Sequence, residues 1–237
     1  VTDLTVLGSC GAWPEPNRAC SGFLLEHNGF RLVMDLGFGT AARLARTVDA
    51  VLVTHEHPDH CVDVNAVGRR HHYTGEGRLP LYCPPGVPRV LEALEPHPHP
   101  TDVFDVHDLA GATAVGPFRL ETRRLPHHVP NFGVRLTAPG VTVAYTGDTG
   151  PAPELTDLAR DADLFIADAT LQSPPPAGPR YLMTAREAGT AAAGANAKRL
   201  LLTHFWPGSD RSVSVAQARE TFAGEVLAAS EGLRIRC

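Results

Sequence analysis

The stretch Ala50-Val-Leu-Val-Thr-His55-Glu-His57-Pro-Asp59-His60 places three histidines and two acids within six residues, directly behind a short apolar run. Imidazole nitrogens and a carboxylate at this spacing are ligands that Zn²⁺ or a similar transition metal prefers. A histidine-rich surface turn is the plain alternative. It is weakened because the arrangement recurs four times further along. Residues 120–124 lead to His127 and His128, 141–145 to Asp148, 163–167 to Asp168, and 200–203 to His204. Each strand-like run stops on an acid or a metal-ligand residue. Ligands at strand ends converge on one edge of a sheet, where loops meet on a rigid base.

The elements that must position these residues follow from the hydrophobic pattern. Residues 50–53 read as a buried strand because the run is short, continuous and β-branched. Residues 2–7 form a first strand that runs into the turn-rich Gly8-Ser9-Cys10-Gly11 loop. Residues 22–26 and 30–35 pair as a hairpin through Asn28-Gly29. Helices are expected over 41–46, 59–72, 86–94, 153–160, 185–195 and 213–222. Further strands are expected over 79–83, 132–136, 141–145, 164–167 and 199–202, with exposed, alternating ones over 101–106 and 118–124 and a short terminal strand. Antiparallel pairs come early, and strands alternate with helices later. The fold class is α/β, with sheets covered by outer helices, in a single domain over 1–237 without a fixed-period repeat.

Composition narrows the function classes. A net charge of −5 gives no global attraction to nucleic acid or anionic lipid, and leaves a local basic patch open. No apolar run approaches the roughly 20 residues of a membrane span. The N-terminal residues lack a basic region followed by a long apolar one, so no signal peptide is expected. Five cysteines, at 10, 20, 61, 83 and 237, show no paired spacing. Free thiols in a reducing, cytoplasmic compartment fit this better than a disulfide framework.

Several motifs together resemble the metallo-β-lactamase superfamily, most closely its ribonuclease Z-like and phosphodiesterase-like branch. They are the Gly8-Ser9 turn, Met34-Asp35-Leu36-Gly37, the His-x-His-x-Asp-His motif at 55–60, Tyr145-Thr146-Gly147-Asp148-Thr149 and Leu201-Leu202-Thr203-His204-Phe205. The resemblance covers nearly the whole chain. It implies a four-layered αββα sandwich with a dinuclear metal site on the shared sheet edge. Carried over by position, His55, His57 and His127 bind the first metal, Asp59, His60 and His204 the second, and Asp148 bridges them. His127 is chosen over His128 because it lies five residues before Phe132-Gly133. An aspartate rather than a cysteine at 148 points away from antibiotic hydrolysis. Without thiolates, Zn²⁺ is the expected cofactor, with Mn²⁺ and Fe chemically allowed.

The implied chemistry is attack by a metal-bridging hydroxide on phosphorus or a carbonyl carbon. Asp59 orients that hydroxide. Asp35 is expected to accept a ligand imidazole N–H, and Asp168 to do the same or bind substrate. One position departs from the related ribonucleases: Leu182 stands where they carry a proton-donating histidine. Tyr181, His128 and a metal-bound water are the replacement candidates, and the departure argues against tRNA 3′ processing. The expected function is therefore a metal-dependent phosphodiesterase acting on a small or cyclic nucleotide-like diester. The alternatives are hydrolysis of a carboxylic ester, thioester or lactone, and a non-hydrolytic metal-binding accessory role. A homodimer is a further expectation. Phe205 and Trp206, directly after His204, are expected either to line the pocket or to pack in the core.

Overall fold

The computed structural model describes residues 1–237. One seven-stranded sheet contains β1 (Thr2–Gly8), β2 (Gly22–His27), β3 (Phe30–Leu36), β4 (Ala50–Leu52), β5 (Leu79–Cys83) and β6 (Phe104–Asp108) in that spatial order. The second contains β7 (Ala114–Val115), β8 (Phe118–Leu125), β9 (Asn131–Ala138), β10 (Val141–Tyr145), β11 (Leu164–Asp168), β12 (Arg199–Thr203) and β13 (Glu225–Ala228). The last strand, β14 (Arg234–Arg236), returns to the first sheet and pairs antiparallel with β1.

Alternation along single strands builds two cores at once. Leu32 and Met34 of β3, and Ala50 and Leu52 of β4, join the large cluster between the sheets. Their neighbours Val33 and Val51 turn to the other face, against Val64, Val87, Leu91 and Val103. These last four come from the helices α2 (Val64–Thr74), α3 (Gly86–Leu94) and α4 (Pro100–Val103). On the far side α5 (Glu154–Leu158), α6 (Ala185–Gly194) and α7 (Arg211–Arg219) cover the second sheet. A strand buried on both faces needs apolar residues at consecutive positions, which is why 50–53 and 164–167 read as unbroken runs. The result is the α/β sandwich of four layers, αββα. No helix is long and apolar enough to cross a membrane.

The sheets depart from the expected order of an antiparallel half followed by an alternating half. In each sheet a meander (β1–β3, β8–β10) gives way to parallel strands (β4–β6, β11–β13). The two halves of the chain repeat one plan without repeating sequence.

Three local readings also change. The helix expected over 59–72 is two helices, α1 (Pro58–Cys61) and α2, because Asp63 N donates to Leu36 O at 2.9 Å and ties the chain to β3. The segment 41–46 is only a 3₁₀ turn over Ala41–Arg43. The strand expected from 101 starts at Phe104, after the turn of helix in α4, whose first free amide, Thr101 N, is accepted by the His99 ring. Pro100 at the first helical position favours that turn.

Candidate metal centre

The C-terminal ends of β3, β4, β8, β10, β11 and β12 all meet on one edge of the sandwich. Each carries a chemical residue just at or beyond its end: Asp35, His55, His127, Asp148, Asp168 and His204. The structure brings two sets of ligand atoms together, each within 4.8 Å. One set is His55, His57, His127 and Asp148. The other is Asp59, His60, Asp148 and His204. His128 is exposed and outside both sets; its ring lies 4.3 Å from that of Tyr181.

Hydrogen bonds behind the ligands fix which nitrogen faces inward. Asp35 Oδ2 accepts the Nδ1 proton of His60 at 2.8 Å. The same carboxylate accepts Thr54 N, Thr54 Oγ1 and the Tyr145 hydroxyl, at 2.8, 2.9 and 2.7 Å. With its proton given to Asp35, Thr54 Oγ1 is left to accept from His55 Nδ1 at 3.1 Å. His127 Nδ1 donates to the Tyr181 carbonyl at 3.1 Å. His204 Nδ1 meets Thr170 Oγ1 at 2.7 Å, and Thr170 is held by Asp168 Oδ1 through its amide at 2.8 Å. Asp168 thus acts through Thr170 and touches no ligand ring itself.

The inner atoms face one another instead; His204 Nε2 meets Asp59 Oδ2 at 3.2 Å. His55 Nε2 and His127 Nε2 both face His57 Nδ1, at 3.2 and 3.0 Å. With the outer nitrogens of His55 and His127 protonated, both Nε2 atoms present lone pairs. His60 Nε2 and Asp148 Oδ1 lie 3.1 Å apart, buried and without a hydrogen bond. Converging lone pairs and an orphaned carboxylate oxygen are costly unless a cation joins them. All donors are nitrogen or oxygen, as divalent zinc, manganese and iron accept. The residues present therefore fit a metal.

The charges agree. Burial, then the neighbouring His60, push the His55 pKa well below the ordinary imidazole value, so the ring is a neutral ligand. Burial opposes a proton on His60, but Asp148, Asp59 and Asp35 around it outweigh burial and hold its pKa well above the usual value. Burial likewise opposes charge on Asp59; His60 and the bond from His204 win and keep it ionised. The field that favours a proton on His60 is the field a cation would meet. Burial pushes Asp168 up to about 7, against the pull of His204 and with the push of Asp148.

The backbone is shaped for this cluster. Asp35 and His204 both adopt left-handed φ of 57°, a conformation that costs a non-glycine residue about 1–3 kcal/mol. Gly11 packs under the His204 ring so closely that a Cβ would lie 2.7 Å from it. The next residue, Ala12, donates its amide to Asp59 Oδ2 at 2.8 Å. Cys61 stays apart: it is buried, its thiol bonds the Glu56 carbonyl, and burial raises it to about 12. Phe205 is buried in the large core, whereas Trp206 is exposed.

Sequence reasoning missed Thr54 and Thr170; it took the loop over 8–21 as a wall of the site without singling out Gly11, Ala12 or Trp13. Thr54 and Thr170 carried a signal, because each lies within two residues of an acid or histidine already singled out. Gly11, Ala12 and Trp13 approach the site only through the fold.

Comparison with known proteins agrees with this fold. A sequence model of the β-lactamase superfamily domain matches residues 21–205. An uncharacterized protein of Mycobacterium tuberculosis is 36% identical over 242 residues, covering 95% of this chain and 88% of that protein. The probable metallo-hydrolase YhfI of Bacillus subtilis is 28% identical over 239 residues, 97% of each chain. Its crystal structure matches with a TM-score of 0.86 at 25% identity, covering 99% of this chain and 98% of that one. A ribonuclease Z of Kineococcus radiotolerans is 30% identical over 266 residues, 86% of this chain and 83% of that enzyme.

Proposed function

The chain belongs to the metallo-β-lactamase superfamily, in its ribonuclease Z-like branch, and from that premise we propose that it is a dinuclear metal-dependent phosphodiesterase acting on a small or cyclic nucleotide-like diester. His55, His57 and His127 would hold one cation, and Asp59, His60 and His204 the other, with zinc the best chemical fit. The observation that carries this reading is the position of Asp148, which alone belongs to both sets. Its Oδ1 lies 3.1 Å from His60 Nε2, and its Oδ2 within 3.8 Å of the Nε2 atoms of His55, His127 and His204.

When bound, the cations activate a water and neutralise charge on the phosphoryl oxygens. The chain supplies the rest. Asp59, held ionised by His60 and His204, orients the attacking water. Leu182 cannot protonate a leaving group. His128 can: it follows the ligand His127, is exposed at the rim, and is steadied by the Tyr181 ring. A relative named ribonuclease Z supports phosphorus rather than a carbonyl carbon as the electrophile.

The test is turnover of bis(p-nitrophenyl) phosphate by protein reconstituted with Zn²⁺ or Mn²⁺, with Asp59→Ala as control. Metal-dependent turnover that the variant loses is expected. A fully metallated protein that cleaves carboxylic esters but no diester would overturn the assignment.

A further inference from the structure

We propose that Trp13 and Trp206 form an aromatic platform that stacks the base of a nucleotide substrate beside the metal centre. The proposal rests on the phosphodiesterase reading and names the part of the substrate that the metals do not touch.

These are the chain's only two tryptophans. Both are about half exposed, at 48% and 45%, and they touch each other edge to face with ring centroids 5.1 Å apart. Indoles are usually buried, because each carries a large apolar surface. Two left open in contact mark a surface shaped to receive a flat apolar group. An edge-to-face pair leaves an indole face available for stacking.

Their placement ties them to catalysis. Residues 9–13 run beside the segment that follows β12: Phe205 N donates to Ser9 O at 3.0 Å and Gly11 N to Phe205 O at 2.9 Å. Trp206 stands two residues after His204. Trp13 follows Ala12, whose amide holds Asp59. Both indoles therefore leave from backbone clamped onto the second ligand set.

An open cleft of about 300 Å³ borders Trp206, lined also by Thr170, Leu171, Gln172, Ser173 and Ser209. It reaches Thr170, the residue that holds His204 in place. The Gln172 amide nitrogen is tied to Asp210 O at 2.7 Å, which leaves the Gln172 carbonyl oxygen and the Ser173 hydroxyl for the edge of a ring, and the buried Ser209 Oγ has no partner of its own. An aromatic face with polar groups at its rim, next to a phosphate-binding centre, is the chemistry that recognises a nucleobase. The His128–Tyr181 pair lies against His127 of the other ligand set.

Because both tryptophans sit here, their fluorescence reports this surface and little else. The metal-reconstituted protein is titrated with AMP, with ribose 5-phosphate and with inorganic phosphate. AMP is expected to quench the emission and to bind roughly 10-fold or more tighter than ribose 5-phosphate, which carries the same phosphate without a base. Trp206→Ala and Trp13→Ala are expected to weaken AMP roughly 10-fold and leave ribose 5-phosphate unchanged, and Trp206→Phe to restore most of the loss. Equal binding of AMP and ribose 5-phosphate would overturn the proposal. So would alanine variants that bind AMP normally but convert a dimer to a monomer on sedimentation, because the platform would then be a contact between two copies. Diester turnover without base preference would sink this proposal alone. AMP quenching by a protein that cleaves no diester would sink the phosphodiesterase reading alone.

Discussion

Asp35 Oδ2 accepts the Nδ1 proton of His60 at 2.8 Å, and that bond turns Nε2 of His60 towards Asp148. Through Thr54, the same carboxylate also sets the tautomer of His55. One acid on β3 thus orients a histidine from each ligand set. Asp35→Asn is expected to weaken metal binding about 10- to 100-fold, and to weaken both ions rather than one. Competitive titration against a chromophoric chelator reads this; two unchanged affinities would contradict the role.

Asp148 and Asp59 would separate two ions held as proposed. Asp148→Ala removes a ligand common to both sets, so metal analysis after desalting should find both ions lost. Asp59→Ala touches only the second set and should leave one. Two tightly held ions in Asp148→Ala would show the ligand assignment to be wrong.

The chelator-stripped protein should be most stable near pH 6.5. Burial, with smaller contributions from neighbouring charges, lowers the folded pKa of His55, His57 and His127 below 6.5. Unfolding in that acidic range takes up protons on these rings, so stability rises with pH. For His60 and His204 burial is outweighed by Asp148 and nearby carboxylates, and the folded pKa is raised. Above 6.5 unfolding releases those protons, and stability falls as pH rises. Asp168, at about 7, releases a proton too; it subtracts one from the acid slope and steepens the fall towards neutrality. Urea midpoints from pH 5 to 8.5 measure the curve. His55→Gln should flatten its acid side, and a midpoint climbing steadily through pH 8 would be the wrong result.

His128 should matter only when the leaving group needs a proton. His128→Ala is expected to slow cleavage of an alkyl phosphodiester about 100-fold or more, and to leave p-nitrophenolate release nearly unchanged. Equal losses on both would point to a structural role instead.

Much of this centre was legible in the sequence because a strand that ends on a ligand writes both facts in consecutive residues. The run 50–53 followed by His55 is local in that sense, as is 200–203 followed by His204. The break between α1 and α2 was not, since it depends on a bond from Asp63 to Leu36, 27 positions away. Nor was the approach of Gly11 to His204, which pairs opposite ends of the chain. The sequence marked Asp168 as an acid to hold a ligand imidazole or bind substrate; its contact with Thr170, and through it with His204, depends on how β11 and β12 lie side by side.

Each ligand set draws two residues from the first sheet's half of the chain and two from the second's. His55 and His57 meet His127 and Asp148; Asp59 and His60 meet Asp148 and His204. A chain still being synthesised therefore has no complete set for the second ion until residue 204 has emerged and the halves have docked. On the dinuclear reading, cation uptake would be a late checkpoint on assembly, and part of the binding free energy would be that of closing the sandwich. Cells starved of the metal would accumulate chains whose two sheets are joined by packing alone, and proteolysis at the shared edge would distinguish them from loaded ones.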